Sequence, residues 1–257
     1  MSAHKYYERI CGVLEAIHDR DKAKLEEAGE LLATAIAAGK RAYFFGSGHS
    51  VIPVMDVFPR YGSFIGFFPL YDPRLMWHNV VGPGGARELL WLERQEGYIQ
   101  NFLQSFALEP GDCMIVFSHG GLNAAPIEAA LYAKERGLRV ISVSSLANVS
   151  KQQATHSSGK KLSDVADIAL DNCVPPEDAL VDIGYPEKVA AGSTIGAVFI
   201  AMALVAETAA RLTAKGFKPD TFVSPNVPGV SKDHNLSVFD AYTEKLFERS
   251  PVAHVTA

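Results

Sequence analysis

The sequence predicts an α/β fold: a mostly parallel sheet with helices on both faces, in one domain that carries an N-terminal helical extension. Three observations predict it. Short apolar runs with strand character alternate with longer stretches of helical periodicity, the order that builds a parallel sheet covered on both sides. Three of the predicted strands, the first, third and fourth, end in serine, which places polar groups at one edge of such a sheet. No Gly/Ser-rich linker divides the 257 residues.

Taken in order, residues 6–38 predict two helices, a hairpin. Ile10, Val13, Leu14 and Ile17 repeat at helical spacing, as do Leu25, Ala28, Leu31, Leu32, Ala35 and Ile36, and Gly39 suits a C-cap. Arg41-Ala42-Tyr43-Phe44-Phe45 is a buried strand that runs into Gly46-Ser47-Gly48-His49-Ser50, and Val51, Ile52, Val54, Met55, Val57 and Phe58 continue as a helix. The two glycines permit a tight loop, and the Ser47 and Ser50 hydroxyls at a helix start suit an anion. The loop is neither a Walker loop, lacking Gly-Lys-Ser/Thr, nor the dinucleotide fingerprint, lacking the third glycine. Residues 63–70 predict a second strand. Residues 71–85, with Pro73, Pro83, Arg74, Trp77 and His78, predict a long irregular loop of the kind that carries function.

A long helix is expected over 86–107, a strand over 113–117, and then Ser118-His119-Gly120-Gly121-Leu122-Asn123, a second loop of the first loop's type. A helix over 125–136 and a strand over 139–145, with Ser142, Ser144 and Ser145, come next. A polar segment, 148–161, precedes a fifth strand at about 166–170. A helix of small residues over 189–215 suits close packing inside the domain or across a dimer, and an amphipathic helix over 236–249 closes the chain. The expected divisions are thus a hairpin at 5–39, a core at 40–215 and a C-terminal loop and helix at 222–250. Ligands bind such sheets beyond the carboxyl ends of the strands.

Composition bounds the partners. Hydrophobic residues at 48% and charged residues at 21% match a soluble globular chain, and a net charge of −5 argues against nucleic acid. Cys11, Cys113 and Cys173 are far apart and form no disulfide framework, which fits the cytoplasm. No apolar run reads as long enough to span a membrane, even at 192–205, and the first nine residues lack a signal core. No metal-ligand spacing of His or Cys is present, so no metal is expected.

The serine-bearing loops, together with Glu93-Arg94-Gln95-Glu96-Gly97-Tyr98, Pro126-Ile127-Glu128, Asp178-Ala179-Leu180-Val181 and the segment from Thr155 and His156 through Lys160 to Leu162, resemble the sugar isomerase (SIS) domain family, in particular its bacterial phosphosugar isomerase members. The resemblance covers roughly residues 5–250. It implies a three-layer sandwich around a five-stranded parallel sheet of flavodoxin-like order, and homodimers or larger assemblies with sites at subunit interfaces. It also implies that Ser118 and Asn123 contact the phosphate of a sugar. Two positions depart from the family pattern. Gly120 stands where the second serine of the second loop is usual, and Met55-Asp56 keeps one acid of a usual pair.

Aldose–ketose isomerisation requires a base near C1 and C2, a proton donor for ring opening and a stabiliser of the enediolate, and no redox cofactor. The carboxylate candidates are Glu88, Glu93, Glu96 and Glu187. Glu93 and Glu96 are one helical turn apart, where a plain solvated helix face is the alternative. Glu187, ahead of Gly192-Ser193-Thr194, resembles the helix entry of SIS aminotransferases and muramic acid phosphate etherases, with a charge at a helix start as the alternative. His156 and His78 are the histidine candidates for acid–base work, each set against a loop histidine with no role. Gly46, Ser47, Gly48, His49, Ser50, Ser118, His119, Gly120, Asn123, Ser144, Lys160 and Ser193 are the expected substrate and anion contacts. The expected activity is isomerisation of an anionic sugar, most simply a sugar phosphate. The alternatives are isomerisation of a sulfonated or unphosphorylated sugar, lyase or etherase chemistry on an amino-sugar phosphate, and a non-catalytic sugar-phosphate sensor.

Overall fold

The computed structural model describes residues 1–76 and 85–249. The chain opens with one helix of 36 residues, α1 (Ser2–Ala37), and not with the expected hairpin. No glycine or proline interrupts the polar residues 18–24 that lie between the two apolar repeats. Instead those polar residues have partners. Asp21 is fully buried and accepts the Asp171 N–H, Lys24 donates to the Ala169 carbonyl at 2.7 Å, and Arg20 pairs with Asp171 at 2.8 Å.

The sheet follows as β1 (Ala42–Gly46), β2 (Phe67–Pro69), β3 (Cys113–Phe117), β4 (Arg139–Ser144) and β5 (Ile168–Asp171). All neighbours are parallel, in the order β2-β1-β3-β4-β5. The helices between them are α2 (Val51–Val57), α3 (Gly85–Leu92), α4 (Tyr98–Leu103), α5 (Ala124–Glu135), α6 (Leu146–Lys151) and α7 (Leu162–Val165). After β5 come a hairpin of β6 (Ala179–Val181) and β7 (Val189–Ala191), then α8 (Ser193–Ala214) and α9 (His234–Phe247).

Strand alternation divides the core. Ala42, Phe44, Cys113, Ile115 and Phe117 face a cluster shared with α1 and α8, while Tyr43, Phe45, Met114 and Val116 face one shared with α4 and α5. Gly29 of α1 lies so close to α8 that an added Cβ would stand 2.7 Å from the Glu207 Cβ.

Four expectations change. The helix read over 86–107 is two, because Gly97 turns the chain at φ 84° and the Glu128 carboxylate accepts its N–H at 2.6 Å. The second strand is only three residues long, and Phe64 bridges instead to Thr221. The helix read from 189 begins at Ser193, since Val189–Ala191 pairs as a strand. That helix, at 22 residues, is long and apolar enough to cross a membrane by length and composition, against the reading of 192–205. Here one side of it packs into the core through Ala197, Ile200, Ala201, Leu204 and Val205.

Candidate active site

Gly46 of β1 pairs with Phe117 of β3, so Ser47 and Ser118 leave the sheet side by side. β2 lies on one side of β1 and β3 on the other. The connections therefore diverge at this point and open the crevice in which doubly wound sheets hold ligands. A Cβ on Gly46 would stand 2.2 Å from the Ser50 carbonyl oxygen, so only glycine lets the loop fold back over the strand end. The Ser50 N–H donates to the Ser47 carbonyl at 3.1 Å and closes that turn.

Glu93 lies directly after α3. Its carbonyl accepts the Ala125 N–H at 2.9 Å, which ties it to the start of α5. Its carboxylate accepts the Ser47 hydroxyl at 2.8 Å, and the residue is only 7% exposed. Burial pushes its pKa above the ordinary glutamate value, with Ser47 and the nearby Arg94 charge pulling the other way. Such a carboxylate holds a proton more tightly than a solvated one and suits general-base chemistry.

On the other side of the same loop, His49 Nε2 lies 3.1 Å from the Ser193 hydroxyl, which donates to Asp178 at 2.8 Å. Asp178 also accepts the Gly192 and Ser193 N–H groups and so caps α8. The His119 ring centroid is 6.5 Å from that of His49, and its Nδ1 is 3.1 Å from the Asn172 amide nitrogen. Burial lowers the His49 pKa, Asp178 opposes it, and His119 adds to it.

The second loop is held from within. Ser118 Oγ accepts the Gly121 N–H at 3.2 Å, and Asn148 donates to the Gly120 carbonyl at 2.9 Å. Among the described residues an added Cβ on Gly120 would meet only the Asn148 amide nitrogen, at 3.9 Å. Asn123 heads α5 without a side-chain capping bond.

The structure thus joins Ser47 to Glu93 and His49 to Ser193 and His119, with Ser50 closing the first loop and Ser118, Gly120 and Asn123 lying along the second. It corrects other expectations. Ser144 is fully buried behind Gly121 and does not reach the crevice, its hydroxyl without a hydrogen-bond partner among the described residues. Glu187 is exposed in the turn of the β6–β7 hairpin, several residues before α8 begins. Lys160 is exposed in its loop and Glu88 on α3. Glu96 follows α3 in the turn before α4, so it shares no helical face with Glu93, and it binds Ser157. Asp56 pairs with Arg60. His156 is not a solvated loop residue: its side chain is 7% exposed, with Nε2 3.7 Å from Glu128 and 3.8 Å from Glu96. His78 lies outside the described residues.

Asp178, Asn172 and Asn148 escaped the reading of roles. Asp178 stands at φ 61° just before β6, and only the hairpin brings it onto Ser193. The sequence signal that was available is the Asp178-Ala179-Leu180-Val181 stretch itself.

The sequence profile of the SIS domain matches residues 5–145. A UPF0309 protein of Caldanaerobacter subterraneus subsp. tengcongensis is 33% identical over 245 residues, 94% of this chain and 97% of the relative. A UPF0309 protein of Brucella canis is 35% identical over 243 residues, 94% of this chain and 96% of the relative. Among solved structures, phosphoheptose isomerase GmhA from Neisseria gonorrhoeae superposes with a TM-score of 0.52 at 14% identity, covering 81% of this chain and 97% of that one. That likeness is one of fold.

Proposed function

The chain belongs to the SIS domain family, and from that premise we propose that it interconverts the aldose and ketose forms of an anionic sugar, with Glu93 as the base that moves the proton between C1 and C2. The observation that carries this reading is the buried Glu93 carboxylate on Ser47, at the point where the loops after β1 and β3 diverge. A sugar in that crevice has the serine-bearing loops for its anionic end and Glu93 for its reacting carbons. The chemistry moves one proton between adjacent carbons and one between adjacent oxygens.

Incubation with aldose and ketose phosphates of different chain length in deuterated water tests it. Interconversion with solvent deuterium at C2 of the aldose or C1 of the ketose is expected. Thermal stabilisation by a sugar phosphate without exchange identifies a sensor instead.

Gly120 favours a second reading of the anion. A serine hydroxyl on a charged oxygen contributes about 1.5–3 kcal/mol, and this chain lacks it. Since a Cβ fits at this position, Gly120→Ser is expected to fold normally. If the site takes phosphate, the substitution tightens sugar-phosphate binding roughly tenfold or more by calorimetry. If the site takes a sulfonate or an uncharged sugar end, phosphate affinity stays flat and the true ligand weakens.

The same reading makes the protein a cytoplasmic homodimer or larger assembly. Ile183, Tyr185, Val189 and Ile195 are exposed on and beside the hairpin that carries the approach to Asp178, so a second chain seated there would border the crevice. Sedimentation equilibrium is expected to give at least twice the chain mass of 27.8 kDa. A fully active monomer overturns this part.

A further inference from the structure

The crevice holds two imidazoles, and their hydrogen bonds make them chemically unequal. Asn172 Oδ1 accepts the Val174 N–H at 3.1 Å, which leaves the Asn172 amino group to donate to His119 Nδ1. His119 therefore carries its proton on Nε2, which faces the Pro176 carbonyl at 3.4 Å. Both of its nitrogens are engaged.

His49 is held differently. Asp178 is an acceptor only, so the Ser193 hydroxyl donates to it at 2.8 Å. Having given its proton away, Ser193 Oγ can only accept from His49 Nε2–H at 3.1 Å. This fixes the neutral tautomer with the proton on Nε2 and leaves Nδ1 as a lone pair with no hydrogen-bond partner among the described residues. The loop that offers Ser47 to Glu93 thus also carries, two residues on, an imidazole with one uncommitted nitrogen.

We infer that His49 is the acid–base group on the oxygen side of the reaction, taking a substrate hydroxyl proton on Nδ1 and returning it to the neighbouring carbonyl oxygen while Glu93 moves the proton between the carbons. The inference rests on the isomerase reading. The step balances: a substrate O–H bond breaks as Nδ1–H forms, then Nδ1–H breaks as O–H forms on the adjacent oxygen, and no electron leaves the sugar. Ser193 and Asp178 are positioning residues that hold the ring and offset the imidazolium charge. The titratable groups facing His49 are Asp178, reached through Ser193, and His119. Burial, the largest influence, holds His49 below the ordinary imidazole range and so keeps Nδ1 unprotonated at neutral pH.

The test uses the 257-residue chain and the aldose–ketose pair that the wild type interconverts. His49→Gln is expected to lower kcat about a hundredfold with KM changed by less than about threefold. It should also reduce the acidic limb of log kcat/KM against pH from a slope of about two, for Glu93 and His49 together, to about one. His49→Ala should regain at least about a tenfold part of its loss with added imidazole, whereas Glu93→Gln regains none. Ser193→Ala, which removes one hydroxyl, should lower kcat about tenfold and move the His49 limb, and it decides the matter if neither His49 variant folds. A kcat for His49→Gln within about threefold of wild type, or an unchanged limb in Ser193→Ala, overturns the inference and leaves Glu93 in place. A wild type that turns over no sugar phosphate, sugar sulfonate or uncharged sugar overturns the isomerase reading, and the role of His49 with it.

Discussion

Replacing Glu93 with glutamine is expected to lower kcat about a thousandfold and to stop deuterium entry at carbon to the same extent, because the amide cannot accept the proton. The loss should be purely chemical. Glutamine has the same shape, and its carbonyl oxygen still accepts the Ser47 hydroxyl that Glu93 accepts at 2.8 Å, so the melting temperature should change little. KM should stay near the wild-type value, since the missing proton transfer belongs to the transition state. The pH dependence has a definite sign. Only the ionised carboxylate is a base, so kcat/KM falls as pH drops through the Glu93 pKa. Burial raises that pKa, against Ser47 and Arg94, so the fall begins at a higher pH than for an exposed glutamate. A Glu93→Gln rate within tenfold of wild type would remove Glu93 from the carbon side of the reaction.

Gly46→Ala is expected to have the largest effect on stability of any methyl-sized change in the crevice. The new Cβ would stand 2.2 Å from the Ser50 carbonyl oxygen and 2.7 Å from its carbonyl carbon. Both are backbone atoms, so no rotamer change relieves the clash, and the turn from Ser47 to Ser50 must open. Overpacking of this kind costs about 3 kcal/mol. In a chain of this size that lowers the melting temperature by roughly 6–12 °C. The opened turn also separates Ser47 from Glu93 and His49 from Ser193, so activity should be lost even in the folded fraction. Calorimetry and the isomerase assay read the two effects separately. Gly120→Ala is the matched control, as its Cβ meets nothing closer than 3.9 Å.

The sheet was legible because its central strands β1 and β3 are buried on both faces and read as apolar runs, and β4 alternates few polar residues into the same pattern. Cys113–Phe117 has the bounds expected from the sequence, and Arg139–Ser144 differs by one residue. The serine-bearing ends of β1 and β3 were legible for the same reason, since a strand of known extent places its last residue. Other elements depend on contacts distant in the chain, which periodicity does not carry. Val189–Ala191 is exposed at all three positions, contains Ala190 at φ 66° and runs into a helix of small residues, so nothing local separates strand from helix. Without that hairpin Asp178 has no reason to meet Ser193. Glu93 and Glu96 shared a face only in an unbroken helix, and the Glu128 carboxylate that helps to turn the chain at Gly97 comes from α5. Residues 6–38 read as two helices because the partner of the polar residues between the apolar repeats, β5, lies about 150 residues away, as the Asp21 to Asp171 bond records.

That long helix has a consequence for the chain during its synthesis. The apolar stripe of α1, from Ile10 through Ile17, Leu25 and Leu32, is the first part of the core to leave the ribosome, yet its main partner is α8. The contact between Gly29 and Glu207 cannot form until 178 further residues have been added. At ordinary elongation rates that interval is about 10–40 s, far longer than a helix needs to form. Throughout it, a nascent amphipathic helix presents its apolar side to whatever is nearby. A chaperone that binds apolar helices, or the same stripe on a neighbouring nascent chain, therefore has its best opportunity before α8 emerges, and slowing elongation between codons 30 and 207 should lower the yield of folded protein more than slowing it after codon 214.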